Sequence, residues 1–312
     1  MKAVVYDAYG PPEVLRIEEV ERPVPRADEV LVKVHAASVN ASDWESLVGR
    51  PAYARIGGLR RPRIRTLGSD IAGVVEAVGP DVTRFRAGDA VFGDNLQRKG
   101  GFAEYAIARE KVLALKPPRL SFEEAAAMPQ AAVIALQGIR GNVRAGQRVL
   151  VNGAGGGAGA YAIQLAKLDG AEVTGVDNTG KLDFMRAVGA DHVVDHTRTD
   201  VTRAGQRYDL VLDLAGHHSV LAHRRVLAPG GRYRWVGGSV GTLLQVLIAG
   251  PLVGGQRLLV VKPNTADLLA MAALCTAGTV VTHIERRFPL DETAAALRHL
   301  GEGRALGKVV VR

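Results

Sequence analysis

At 312 residues, with 47% hydrophobic and 23% charged side chains, the chain is long enough for two cored domains and too apolar to be disordered throughout. A single cysteine, Cys275, excludes a disulfide framework and any zinc site built from several thiolates. The 40 basic and 32 acidic residues leave a net charge of +8, which suits anionic partners such as nucleotide phosphates without choosing among them.

The opening MKAVVYDAYG lacks the charged, apolar and small-residue succession of a secretory signal, and no apolar run of about 18 residues occurs. A soluble, cytoplasmic protein with no transmembrane segment is expected. Up to Leu120, short β-rich segments (LRIEEVERPVP, EVLVKVHAASVN, DIAGVVEAVG, DAVFGD, FAEYAIA) alternate with glycine and proline turns, the pattern of a mostly antiparallel β domain. Within it the densest basic stretch, Arg55 to Arg65, is broken by Gly57, Gly58 and Pro62; it reads as a solvated loop, and a nucleic-acid partner is not expected.

From Ser121 the period changes. Ser121 and Glu124 form a capping-box pattern ahead of AAAMPQAAVIALQGI, which is helical apart from Pro129. Strand-plus-helix units follow: RVLVNGAG into GAYAIQLAKLDG, AEVTGVD into KLDFMRAVGA, and YDLVLDLAG into HSVLAHRRVLAPGG, then RYRWVGG. Strands that are apolar throughout, separated by amphipathic helices, predict an α/β fold with a parallel sheet covered on both faces. In the tail, Ala266 to Gly278 is helical, VVTHIERRFPL β-like, DETAAALRHLGEG a capped helix and KVVVR a strand expected to return to the first domain.

The strongest chemical signal is QRVLVNGAGGGAGAYAIQLAKLDGAEVTGVD. Glycines in the turn (Gly156, Gly157 and Gly159, with Ala158 between) let the backbone approach a pyrophosphate at a helix N-terminus. Asp177 follows about 20 residues later, where an acid at the tip of the second strand bonds the adenosine ribose. Strand, helix, second strand and acid together make this a dinucleotide site.

The paired LGSDIAGVVEAVG and FRAGDAVFG, the GGFAEYA segment, the AGGGAG turn, VGADHVVDH and the closing GKVVVR resemble, end to end, the medium-chain dehydrogenase/reductase superfamily and its zinc-independent quinone oxidoreductase branch. The resemblance implies a GroES-like catalytic domain over 1–122, a doubly wound Rossmann NAD(P)-binding domain over 123–265 and a return of 266–312 to the catalytic domain. It also implies a cleft between the domains and a homodimer through Rossmann edge strands.

Alcohol dehydrogenases of the superfamily hold a catalytic zinc on cysteine and histidine and often a second zinc on a four-cysteine lobe. Here Asn40 occupies the region of the first catalytic cysteine, Ser69 stands where GHE supplies the histidine, and the lobe is missing, so no metal is expected. Without a Lewis acid, a quinone or enone is the better acceptor: hydride adds to carbon while charge moves to a distant carbonyl oxygen.

By resemblance, Asn40 is the donor to that oxyanion and Asp43 an orienting group or part of a proton relay; alternatively both cap the turn leading to Trp44. Glu45 replaces a tyrosine found in some relatives and Ile134 a threonine that approaches the nicotinamide, which weakens a tyrosine proton donor and leaves solvent as a source. Trp44 and Tyr53 would wall a flat substrate or serve as packing.

Asp177 favours NADH because it would repel a 2′-phosphate, whereas the resemblance favours NADPH, with Asn178, Thr179, Lys181 and His196 able to hold that phosphate. The cofactor is therefore NADH or NADPH. The nicotinamide end is expected at loops after later strands: Leu214, Ala215 and Gly216, Gly237 with Gly238, and Lys262 with Pro263, all of which could equally be turn formers.

Other features read more plainly. His217 and His218 form a loop pair rather than a metal site, and Cys275 is a buried helix residue. The apolar stretch Val240 to Val253 is too interrupted to span a bilayer and is expected at the cleft or a dimer contact. The function expected is zinc-independent, NAD(P)H-dependent reduction of quinones or α,β-unsaturated carbonyls. The alternatives are a metal-free alcohol dehydrogenase or carbonyl reductase, and a nucleotide-binding redox sensor or RNA-associated protein without turnover.

Overall fold

The structure, a computed structural model, describes residues 1–56, 58–216, 218–236, 256–259 and 261–312. His217, Gly237, Gly238 and the stretch Val240 to Val253 lie outside the described residues. The chain divides into two compact units, Met1–Gln130 with Pro263–Arg312, and Ala131–Lys262.

In the first unit, β1 (Lys2–Val5) pairs antiparallel with β2 (Arg16–Glu19). The main sheet has seven strands: β3 (Glu29–Ser38), β4 (Asp70–Val78), β5 (Ala90–Asp94), β6 (Tyr105–Arg109), β7 (Leu113–Leu115), β14 (Ile284–Phe288) and β15 (Lys308–Val311). Its path runs β14-β15-β3-β4-β5-β7, with β6 also on β3. Alternation along the strands sends Val30, Val32, Ile71, Val75 and Val91 into one core. A second core gathers Val4, Val39, Leu47, Phe102, Leu297 and Val309.

The closing strand β15 pairs antiparallel with β3 and parallel with β14, the one parallel pair in this sheet among the described strands. The basic stretch is read as a solvated loop, and Arg60, Arg61, Arg63 and Arg65 are all exposed, with Arg65 Nε donating to Asp7 at 2.6 Å. Helix α1 (Ala41–Val48) follows β3, and α2 (Phe122–Ala126) opens with the reciprocal Ser121–Glu124 box. The last helix, Thr293–Gly301, departs from expectation in having no side-chain cap; a 3-10 turn over Leu290–Glu292 leads into it and Thr293 Oγ1 donates to the Leu290 carbonyl.

Pro129, which cannot continue a preceding helix, begins α3 (Pro129–Ile139) instead. The second unit is a parallel sheet of order β10-β9-β8-β11-β12-β13. Its strands are β8 (Arg148–Asn152), β9 (Glu172–Asp177), β10 (His192–Asp195), β11 (Tyr208–Asp213), β12 (Leu227–Trp235) and β13 (Gln256–Leu258). Val149, Leu150 and Val151 are fully buried, as continuous apolar strands under helices must be.

Helices α4 (Gly157–Leu168) and α5 (Leu182–Val188) follow β8 and β9. Strand β10, absent from the strand-helix units read in the sequence, pairs with β9. The helix read through HSVLAHRRVLAPGG is confined to Val220–Arg224, because Leu227 already pairs with Tyr208. Among the described residues no helix is long and apolar enough to cross a membrane.

Candidate active site

The glycine turn joins β8 to α4 in the second unit. Gly156 is the N-cap of α4 and, lacking a side chain, leaves the first helical N–H groups uncapped, as an anion site requires. A Cβ at Gly159 would lie 2.5 Å from the Ala154 Cα and carbonyl oxygen, so only glycine lets the helix sit this close to the turn. Gly157 and Ala158 occupy the first turn of the same helix.

Asp177 ends β9, but its carboxylate faces inward rather than being held free for a ribose. One oxygen accepts the Gly155 N–H at 3.0 Å, the other accepts the Asn178 N–H at 2.9 Å, and the Lys181 ammonium stands 3.5 Å away. Gly155 was missed in the sequence; a Cβ there would fall 2.5 Å from the Lys181 side chain. Asp177 and Lys181 are both about a tenth exposed.

The neighbouring strand end completes this edge. Asp195 sits opposite Asp177 in register, accepts from the Thr179 hydroxyl and binds Thr197 Oγ1 at 2.6 Å. Asn178 Oδ1 accepts the Gly180 N–H at 3.0 Å, and the His196 N–H donates to the Asp177 carbonyl at 3.0 Å. Asn178, Thr179 and Lys181 thus meet His196, from just after the next strand, at the carboxyl ends of β9 and β10.

The loop Leu214 to Gly216 hangs from Asp213, a fully buried acid that the sequence reading passed over. Asp213 Oδ1 accepts from Gly216 N at 2.9 Å, Ala215 N at 3.2 Å and Asn152 Nδ2 at 2.7 Å, while Oδ2 accepts the Tyr233 hydroxyl at 2.7 Å. Lys262 exchanges two backbone hydrogen bonds with the Gln137 side chain, at 2.9 and 3.0 Å, and Pro263 begins the segment returning to the first unit. Ile134 lies half-buried in α3.

The first unit carries a buried polar cluster where β3 ends and β4 and β15 begin. Asn40 is the N-cap of α1 and is 7% exposed. Its Oδ1 accepts from Lys308 Nζ at 2.6 Å, and its Nδ2 donates to Ser69 Oγ at 3.3 Å. Ser69 Oγ also accepts from Gln130 Nε2 at 2.8 Å. Lys308 further bonds the Val39 carbonyl at 3.3 Å and pairs with Asp70 at 3.9 Å. Burial pushes the Asp70 and Asp94 carboxyls up and the Lys308 ammonium down, and the attraction between these charges opposes both effects.

Asp43 is fully buried, with Oδ2 accepting the Asn40 N–H at 3.0 Å and Oδ1 the Gly68 N–H at 3.1 Å. Both oxygens of Asp43 thus hold the backbone on which Asn40 is mounted, an arrangement that suits an orienting group and equally the capping alternative. Burial raises its pKa to about 6 against the pull of Lys99. Trp44, partly buried, packs against the second core, and a Cβ at Gly301 would fall 2.4 Å from its ring.

Tyr53 donates to Glu45 Oε1 at 3.4 Å, and burial together with that carboxylate raises the phenol to about 12. Ser69, Asp70, Gln130 and Lys308 escaped the sequence reading as a group because their positions span most of the chain. The GKVVVR motif was the one available pointer to Lys308. Cys275 is half-buried in the helix Thr265–Thr276, where burial pushes its thiol up, and His218 Nε2 lies 4.0 Å from Asp200.

Comparison with known proteins agrees with this architecture. Residues 26–118 match the model of the alcohol dehydrogenase GroES-like domain and residues 188–311 that of zinc-binding dehydrogenase. The chain is 32% identical over 324 residues to a 2-methylene-furan-3-one reductase of Solanum lycopersicum, covering 100% of this chain and 79% of that protein. Identity is also 32% over 324 residues, with the same coverage, to a chloroplastic NADPH-dependent alkenal/one oxidoreductase of Arabidopsis thaliana.

Among solved structures, the quinone oxidoreductase from Coxiella burnetii superposes with a TM-score of 0.90 at 29% identity, over 100% of this chain and 98% of that one. The antiparallel-rich unit is thus GroES-like and the parallel one a Rossmann fold. The chain belongs to the medium-chain dehydrogenase/reductase superfamily, in its quinone oxidoreductase branch.

Proposed function

We propose that the protein is an NADPH-dependent oxidoreductase that reduces quinones or α,β-unsaturated carbonyls without a metal. The observation that carries the reading is the Asn40 amide, held between Lys308 and Ser69 as an anchored donor group in the buried cluster of the GroES-like unit. When bound, the nicotinamide nucleotide supplies a hydride. The uncapped start of α4 would hold its pyrophosphate, and Lys181, Asn178, Thr179 and His196 its 2′-phosphate.

NADPH is favoured over NADH because the Asp177 carboxylate, which would repel a 2′-phosphate, is engaged by two N–H groups and balanced by Lys181. The relatives support the same choice, one being named for NADPH and alkenals or enones. Asn40 Nδ2 would donate to the substrate oxygen on which charge accumulates, in competition with its long 3.3 Å bond to Ser69. Solvent would supply the proton to carbon.

The residues present do not fit a catalytic zinc. Asn40 and Ser69 supply neither thiolate nor imidazole, and the Lys308 ammonium already holds Asn40 Oδ1. Among the described residues no three His, Cys, Asp or Glu side chains converge as a ligand set. A homodimer is also proposed: β13 forms one edge of the parallel sheet among the described strands, and an open edge suits extension by a second copy. Sedimentation at a monomer's mass would overturn it.

The deciding experiment assays the purified enzyme with NADPH and NADH across quinones and enones, with product analysis and metal quantification. The proposal expects a saturated carbonyl or hydroquinone, preference for NADPH, and turnover undiminished by chelators. An alcohol product from an enone, or cofactor binding without oxidation across the panel, would overturn it, as would loss of turnover with removal of stoichiometric zinc.

A further inference from the structure

We propose that Lys308 is a positioning residue for the reduction: its ammonium fixes which way the Asn40 amide points and strengthens the amide's N–H donors. The inference rests on the reading of Asn40 as the oxyanion donor. An amide's oxygen and nitrogen ends are nearly the same size, so packing alone does not select between two orientations related by a flip. An ammonium carries only donors, and at 2.6 Å it can be satisfied only by the oxygen of Asn40. The NH2 end is thereby left to donate, to Ser69 Oγ at 3.3 Å and toward the Asp70 carboxylate.

Two further contacts hold Lys308 itself, a residue that is only 4% exposed: its ammonium bonds the Val39 carbonyl at 3.3 Å and stands 3.9 Å from Asp70. Asp70 is fixed in turn by Ser38 Oγ at 3.1 Å and by the Gln130 N–H at 3.2 Å. Asp43 and Asp94 also face the ammonium electrostatically, so the charge is compensated although buried. A cation on the amide oxygen draws electron density from nitrogen, making the remaining N–H a better donor in a low-dielectric site. The effect grows as negative charge builds on a substrate oxygen, the condition for lowering a barrier rather than tightening ground-state binding.

The test is steady-state kinetics on a quinone or enone reduced by the wild type, with Lys308→Met, Lys308→Arg, Asn40→Ala and the Asn40→Ala, Lys308→Met double variant. Lys308→Met is expected to lower kcat by about tenfold or more, with the KM for NADPH within about twofold. Lys308→Arg, which keeps a donor-only cation, is expected to recover kcat to within about threefold of wild type. In the Asn40→Ala background the Lys308→Met change is expected to alter kcat by less than about twofold.

A wild-type kcat in Lys308→Met, or an undiminished loss in the Asn40→Ala background, would overturn the inference while leaving Asn40 its role. A wild-type kcat in Asn40→Ala would overturn the Asn40 reading and this inference with it. If Lys308→Met does not fold, NMR of the labelled wild type decides. The Asn40 side-chain amide resonances are expected to move in step with titration of the Lys308 ε-carbon, and an Asn40 signal that stays still through that titration refutes the coupling.

Discussion

Lys181 places its ammonium 3.5 Å from the Asp177 carboxylate, so the acid that would discriminate against a phosphorylated ribose is neutralised by its own neighbour. Lys181→Ala removes that balance together with one of the proposed phosphate donors. We expect the KM for NADPH to rise about tenfold or more, the scale of a charged hydrogen bond, with NADH altered much less. Cofactor-dependent kinetics check this, and equal effects on both nucleotides would refute the assignment.

Gly159→Val drives a branched side chain into the Ala154 backbone, which lies 2.5 Å from where the Cβ would stand. Backbone cannot move aside as a flexible side chain does. The expected cost is about 1–3 kcal/mol of stability, with nicotinamide nucleotide binding lost as well. Thermal melts and nucleotide fluorescence titration read the two effects separately, and wild-type affinity in this variant would contradict the role given to the turn.

Asn40→Ala deletes the anchored amide. If Asn40 donates to the developing oxyanion, kcat should fall by on the order of tenfold to a thousandfold, while the KM for NADPH stays near wild type. Turnover measured on a saturating enone checks it, with the melting temperature taken in parallel because Lys308 loses its closest acceptor.

Asp43 titrates near 6 in the fold, up from 3.8 as a free group, because burial disfavours its charge. The folded state therefore keeps a proton that the unfolded chain has released between about pH 4 and pH 6. Stability must fall as pH rises through that window, by no more than about 3 kcal/mol from this group. Asp43→Asn removes the titration, so its melting temperature should vary less between about pH 4.5 and pH 7 than that of the wild type. An unchanged pH dependence would show that Asp43 is not the group responsible.

Features settled within a few residues were readable before any coordinates. The Ser121–Glu124 box and the glycine turn of α4 depend on local turn chemistry and helix-terminal hydrogen bonds, which residue order determines. The apolar strands of the parallel sheet were legible for a similar reason, since burial on both faces leaves no polar alternation. Strand β10 escaped because it is short and only partly buried, so its pattern does not separate it from a turn.

What the order of residues could not decide was the direction of individual polar groups. Asp177 stands at the spacing of a ribose-binding acid, yet its carboxylate turns toward Gly155, because an uncapped N–H and an ammonium converge there only after folding. Lys308 reaches Asn40 across 268 positions because β15 pairs with β3, and long-range pairing carries no local signature. The residue types of the site are thus written locally, while its electrostatics arise where distant strand ends meet in a buried medium that amplifies each charge.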